Sequence, residues 1–148
     1  MSARNRVHVM HGVNLDQLGR RDPAVYGGVT LDELQFRVDG FADELDLDAR
    51  FFHSNHEGAF VEELHRLDGI ADAILLNPGA WTHYSWAIHD ALELTGLPAV
   101  EVHLSDVQAR EEWRQVSVIS DLCVATVSGQ GVDGYREALV RLKGAMPA

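Results

Sequence analysis

Positive charge is scarce: twelve lysines and arginines stand against twenty-three aspartates and glutamates, a formal net charge of −11. A surface of that sign repels phosphate backbones and anionic lipid, which disfavours nucleic-acid and membrane partners. It does not bar an anionic substrate, because a few arginines gathered in a cleft set the local potential whatever the average. Cysteine is almost absent, and the single Cys123 excludes an intrachain disulfide. It lies in the apolar run Leu122 to Val127 with no basic neighbour to lower its pKa, so a buried, inert thiol is expected. No apolar run approaches the twenty or so residues of a membrane span, and Met1 to Met10 carry no signal-type run. A soluble, cytoplasmic protein is the expectation. Linkers, internal repeats and low-complexity segments are also lacking, so the 148 residues (1–148) read as one domain long enough to bury a core.

What is present is alternation. Short apolar runs, expected as strands at Arg6–Met10, Ala49–His53, Ala73–Asn77, Ala99–His103 and Leu122–Val127, are separated by amphipathic stretches. Thr30-Leu31-Asp32-Glu33 is a capping box opening a helix to about Leu45, with Leu31, Leu34, Phe41 and Leu45 as its apolar face. Glu57–Leu67, Ser85–Thr95 and Val132–Lys143 are the next helices. Strand and helix in strict alternation predict an α/β, flavodoxin-like three-layer αβα sandwich around a five-stranded parallel sheet, with ligands beyond the carboxyl ends of the strands. Polar residues cluster there: His11 and Asn14, Ser54 and Asn55, Asn77 to His83, and His103 to Arg114. The connections His11–Gly28 and Leu104–Asp121 exceed ordinary α/β loop lengths, as lids or surface excursions do.

Three attractive motifs are set aside. Gly129-Gln130-Gly131-Val132-Asp133-Gly134 has dinucleotide-fingerprint spacing, but only fourteen residues follow it, too few for the next strand and its ribose-binding acid. A tight turn and close helix packing explain the glycines better. His53 with His56, and His83 with His89, lack the spacing of a zinc-binding helix, so no metal is expected. No nucleophile elbow accompanies Thr82, Ser85 or Ser105, which argues against a serine hydrolase.

Five blocks in register carry a family resemblance. They are Gly12-Val13-Asn14-Leu15 with Leu18-Gly19-Arg20-Arg21, Pro23 and Tyr26-Gly27; Ser54-Asn55-His56-Glu57-Gly58; and Asn77-Pro78-Gly79-Ala80-Trp81-Thr82-His83 with Ser85, Ala87 and Asp90. Pro98 and Glu101-Val102-His103-Leu104-Ser105-Asp106, continuing to Ala109-Arg110-Glu111-Glu112-Trp113-Arg114, form the fourth and longest. Ser117, Ser120, Ala125, Gly129, Gly131 and Gly134-Tyr135 close the pattern. Together they resemble the type II 3-dehydroquinate dehydratases, which implies anti elimination of water from 3-dehydroquinate through an enolate, giving 3-dehydroshikimate without cofactor. It also implies a cytoplasmic homododecamer built as a tetramer of trimers.

Read from chemistry alone, Tyr26 is either a base or a loop anchor, and Arg21 either its partner or a solvated charge. A tyrosine, with a pKa near 10, abstracts a proton at neutral pH only with a cation within about 4–6 Å, and Arg21 is five residues away on the same loop. Glu101 and His103, two apart on a strand, share a face, as a buried satisfied pair or as an acid and its support. The resemblance implies the catalytic choice in each case: Tyr26 as base with Arg21, Asn14 holding a water at the enolate, His103 as general acid and Glu101 behind it. It further implies a carboxylate site at Asn77, Leu104 and Ser105, hydroxyl-binding groups at His83 and Arg114, an active-site Arg110, and Asp90 supplied by a neighbouring subunit. Arg110 and Arg114, four apart, would point the same way on a helix.

Some positions depart from that pattern. His11 and Val13 replace the usual asparagine and proline of the first block, His89 stands where arginine is common, and Val116 to Asp121 differ from the usual run. An altered, for example amino-substituted, dehydroquinate as substrate, or a non-catalytic binding or assembly relative, are the alternatives these departures leave. Retention of Tyr26, Arg21, His103 and Asn14 together argues against the second, since packing needs none of them.

Overall fold

Alternation of side chains along each strand decides the layering. The computed structural model describes residues 4–147 and contains five parallel strands. These are β1 (Arg6–His11), β2 (Asp48–His53), β3 (Ala73–Asn77), β4 (Ala99–His103) and β5 (Ala125–Ser128), in the order β2-β1-β3-β4-β5. This is the doubly wound order the alternation predicts. Val7, Val9, Ala73, Leu75, Val100, Val102 and Val127 face one way, against helices α2 (Leu31–Glu44) and α5 (Asp133–Ala145). Met10, Ile74, Leu76 and Ala99 face the other way, against α3 (Glu57–His65) and α4 (Trp86–Thr95). Because successive strand residues point to opposite faces, every position of β3 and β4 is buried, as a parallel sheet covered on both sides requires.

The capping signals act locally. Thr30 Oγ1 accepts from the Glu33 N–H at 3.1 Å, opening α2 where expected, and Leu34, Val38 and Ala42 form its fully buried stripe. Leu31, Phe41 and Leu45, expected on that stripe, pack at its margin. Ser85 caps α4 by accepting from the Ile88 N–H rather than lying inside the helix, and α3 ends at His65 instead of Leu67. The fifth strand is corrected more substantially. Leu122 closes a 3-10 turn, Ser120–Leu122, and β5 begins at Ala125. The run is apolar because Leu122 and Cys123 pack against the α3/α4-side core, not because they pair with β4.

The two long connections are not irregular throughout. The first holds a 3-10 turn, Leu15–Arg20, and the one-turn helix α1 (Pro23–Tyr26). The second holds 3-10 turns at Val107–Ala109 and Glu112–Gln115. Arg110 lies between those turns in extended backbone, so it and Arg114 do not share a helix. The loops leaving β1 and β3 meet backbone to backbone: a Cβ on Gly12 would stand 2.2 Å from the Pro78 carbonyl oxygen, and one on Gly79 2.5 Å from that of Val13. Only glycine permits that approach.

Candidate active site

The loop after β1 sets the first half of the site. Asp22 Oδ1 accepts from the Ala24 N–H at 3.0 Å, Pro23 starts α1, and Gly27 ends it in the left-handed conformation. That single turn delivers Tyr26, whose ring leans on the α2/α5-side core. Two guanidinium groups converge on its hydroxyl oxygen. Arg21 donates from the same loop, and Arg110 donates from Nη1 at 2.7 Å. Arg21 also stacks on the phenol, its Cζ 3.9 Å from the ring centroid. Asn14 adopts a left-handed backbone (φ 67°), a conformation asparagine tolerates, and its N–H donates to Asn55 Oδ1 at 2.8 Å. Asn14, Arg21, Tyr26, Asn77, Leu104, Arg110 and Arg114 line a cleft of about 110 Å³, with Val13, Leu15, Gly79 and Ala80 completing its wall.

The end of β4 sets the second half. His103 Nε2 donates to Glu101 Oε2 at 2.5 Å, the shared face predicted from their spacing. Three hydroxyls complete the carboxylate's shell. Thr82 donates to Oε2 at 2.5 Å, and Ser117 and Thr126 to Oε1 at 2.7 and 3.5 Å. Burial alone would push Glu101 up, but bonds from His103, Thr82 and Ser117 outweigh it and hold the carboxyl below its usual range. His83 stacks near His103, ring centroids 6.4 Å apart, and donates from Nδ1 to the Val116 carbonyl at 2.7 Å. Burial pushes the His83 imidazole below its ordinary value despite that bond. Thr82, His83, Glu101, His103, Arg114 and Ser117 line a second cavity, of about 240 Å³.

Arg114 lines both spaces, so the Tyr26 and His103 halves meet across its side chain. Their origins differ: Tyr26 packs with the α2/α5 layer, whereas Glu101 and His103 follow Ala99 on the alternation that faces α3 and α4. Ser105 is buried beside the first cleft, its Oγ 3.4 Å from Arg110 Nη1. Asp90 lies elsewhere, on α4, with its carboxylate accepting from His89 Nδ1 and a side chain 76% exposed. The role expected for it therefore has no counterpart within one chain's own pocket. The hydroxyls around Glu101 come from residues 16 to 25 positions away and leave no local signal in the sequence. Thr126 pairs in register with Glu101 across β4 and β5, a relation visible only once the strand order is known.

A flavodoxin-like αβα fold with a phenol and an imidazole gathered at the carboxyl edge of its sheet defines the class: an α/β enzyme built for acid–base chemistry. Residues 5–143 match the dehydroquinase class II family, and the chain belongs to it. It is 45% identical over 139 residues to the 3-dehydroquinate dehydratase of Caldicellulosiruptor saccharolyticus, covering 93% of this chain and 96% of that one. It is 47% identical over 131 residues to the enzyme of that name from Thermotoga neapolitana, covering 88% of this chain and 89% of its relative. Among solved structures, the type II dehydroquinase of Butyrivibrio crossotus superposes with a TM-score of 0.91 at 35% identity, covering 95% and 98% of the two chains. That of Propionibacterium acnes does so at 0.89 and 37%, covering 97% and 99%.

Proposed function

We propose that this chain dehydrates 3-dehydroquinate to 3-dehydroshikimate by anti elimination through an enolate. The observation that carries the reading is the convergence of Arg21 and Arg110 on the Tyr26 oxygen, opposite a Glu101-supported His103. The Tyr26 oxygen, as phenolate, takes a proton from the carbon next to the ketone, and the C–H electron pair moves to the carbonyl oxygen as an enolate. Two guanidinium donors offset the negative charge this step needs at the phenol. When the enolate collapses, the β C–O bond breaks, and the departing hydroxyl leaves as water with a proton from His103. Glu101 holds that imidazole in place and offsets its charge while it is protonated. Base and acid belong to opposite layers of the sandwich, an arrangement suited to loss of proton and hydroxyl from opposite faces of a ring.

Asn77, Leu104 and Ser105 fit the substrate carboxylate, His83 and Arg114 its hydroxyls, and Asn14 a water at the enolate oxygen. Asp90 would act on a neighbouring subunit's site, within a dodecamer assembled from trimers. Adding 3-dehydroquinate to the pure protein should produce the ultraviolet absorbance of a conjugated enone acid. A flat trace at high enzyme concentration would overturn the assignment.

A further inference from the structure

On the α2/α5 face of the sheet, three buried side chains that the reaction scheme leaves unused or half-used form a line. Asn77 Nδ2 donates to the Tyr135 hydroxyl oxygen at 3.1 Å, and that oxygen lies 2.9 Å from His11 Nε2. His11 and Tyr135 are fully buried, and Asn77 is 4% exposed. Since Asn77 is a donor to the phenol oxygen, the phenol hydrogen needs an acceptor, and His11 Nε2 is in reach. The proton of a neutral His11 therefore belongs on Nδ1. The other tautomer would strand the phenol O–H as well as Nδ1, two buried unmatched groups where the first leaves one, the Nδ1 that bonds to no described residue.

Neither ring changes charge near neutrality. Burial, with His53 beside it in register on β2, pushes His11 down to about 3, and burial pushes the Tyr135 phenol up. The line thus keeps one polarity, from Asn77 to Tyr135 to His11. At its other end Asn77 Oδ1 accepts from the Gly79 N–H at 3.2 Å. With its oxygen held by Gly79 and one Nδ2 hydrogen by Tyr135, the amide cannot turn over without losing both bonds. Its second Nδ2 hydrogen is left for the cleft that Asn77 lines.

We propose that His11 and Tyr135 are positioning residues that lock the Asn77 amide with its donor available to an anionic oxygen of the substrate. The proposal rests on the reading of Asn77 as part of the carboxylate site. Ground-state binding is then what the relay serves, so its loss should appear in KM rather than kcat. Tyr135→Phe is expected to raise KM about tenfold with kcat changed less than about twofold. His11→Leu, which cannot accept, should do the same. His11→Asn, whose side-chain oxygen can still accept from Tyr135, should restore a KM near that of the parent. In an Asn77→Ala background Tyr135→Phe should change KM no further, because coupled residues are not additive.

A parental KM in both Tyr135→Phe and His11→Leu, whatever their melting temperatures, would overturn the proposal, as would effects that multiply with Asn77→Ala. Side-chain 15N spectra of the unliganded parent at neutral pH give a reading that needs neither turnover nor a variant. An unprotonated, accepting His11 Nε2 is expected, and a protonated Nε2 would refute the relay. Failure of the parent to dehydrate 3-dehydroquinate would count against the proposed reaction, while these spectra would still judge the relay.

Discussion

Arg110 Nη1 lies 2.7 Å from the hydroxyl of Tyr26, a residue 84 positions earlier in the chain, and Arg21 donates to the same oxygen from the phenol's own loop. One cation is thus local and the other tertiary. Tyr26→Phe deletes the oxygen and little area, so turnover is expected to vanish while binding of a substrate analogue holds within severalfold. Arg110→Ala should lower kcat by about 10²–10³, the usual cost of removing one preorganised charge-stabilising donor. Steady-state kinetics with calorimetric binding would check both, and parental turnover by Tyr26→Phe would remove that residue from the role of base.

His103→Ala is expected to lose most activity, on the order of 10²–10⁴-fold, the range for a lost general acid. Glu101→Gln keeps the shape of the shell but removes its charge, and its rate should fall between parent and His103→Ala. Unchanged rates in His103→Ala would reassign the acid.

Acid should destabilise the folded chain in part through Glu101. The Glu101 carboxyl titrates below its usual range in the folded chain. A depressed folded value means that the carboxylate's contribution is complete above the ordinary carboxylate pKa and is lost as pH falls through the lowered one. Asp72 behaves in the same sense, held down first by its bond from Arg6, so the two add. Melting temperature is expected to drop as pH falls below about 4, less steeply for Glu101→Gln than for the parent. Equal acid slopes in the two proteins would contradict the Glu101 contribution.

Cys123 should resist alkylation. Burial pushes its thiol up to about 12, so the thiolate fraction near pH 8 is very small. Iodoacetamide labelling of the native protein is expected to be far slower than after unfolding in urea, and comparable rates would show an accessible, activated thiol.

Asp90 lies on α4 with an exposed side chain and does not line its own chain's cleft, so the role proposed for it is tested by the state of assembly. If it completes a neighbour's site, the active species sediments as a trimer or a multiple of one. Full activity in a sedimenting monomer would contradict the role carried over to Asp90.

Much of this was legible in order along the chain. The start of α2 is readable because Thr30 and Glu33 act on each other across one turn, and β3 because a strand buried on both faces reads as a nearly continuous apolar run. Glu101 and His103 were paired by a two-residue spacing alone. The structure starts β5 later than the apolar run does, because such a run records burial without recording pairing, and a turn leaves Leu122 and Cys123 partly buried against the core. Arg110 and Arg114 reach the cleft, yet the first from extended backbone and the second from a 3-10 turn, rather than from the helix their spacing allowed.

Local chemistry and hydrophobic period, which act over a few residues, determined from the sequence by itself the layered α/β architecture and the types of group at the strand ends. Tertiary structure alone decided which groups distant in the chain touch. The second guanidinium on Tyr26, the hydroxyls around Glu101, and the line from His11 through Tyr135 to Asn77 join residues up to 124 positions apart. Contacts at that separation exist only after the sheet has formed, because its register and twist, not the chain between them, bring the side chains together.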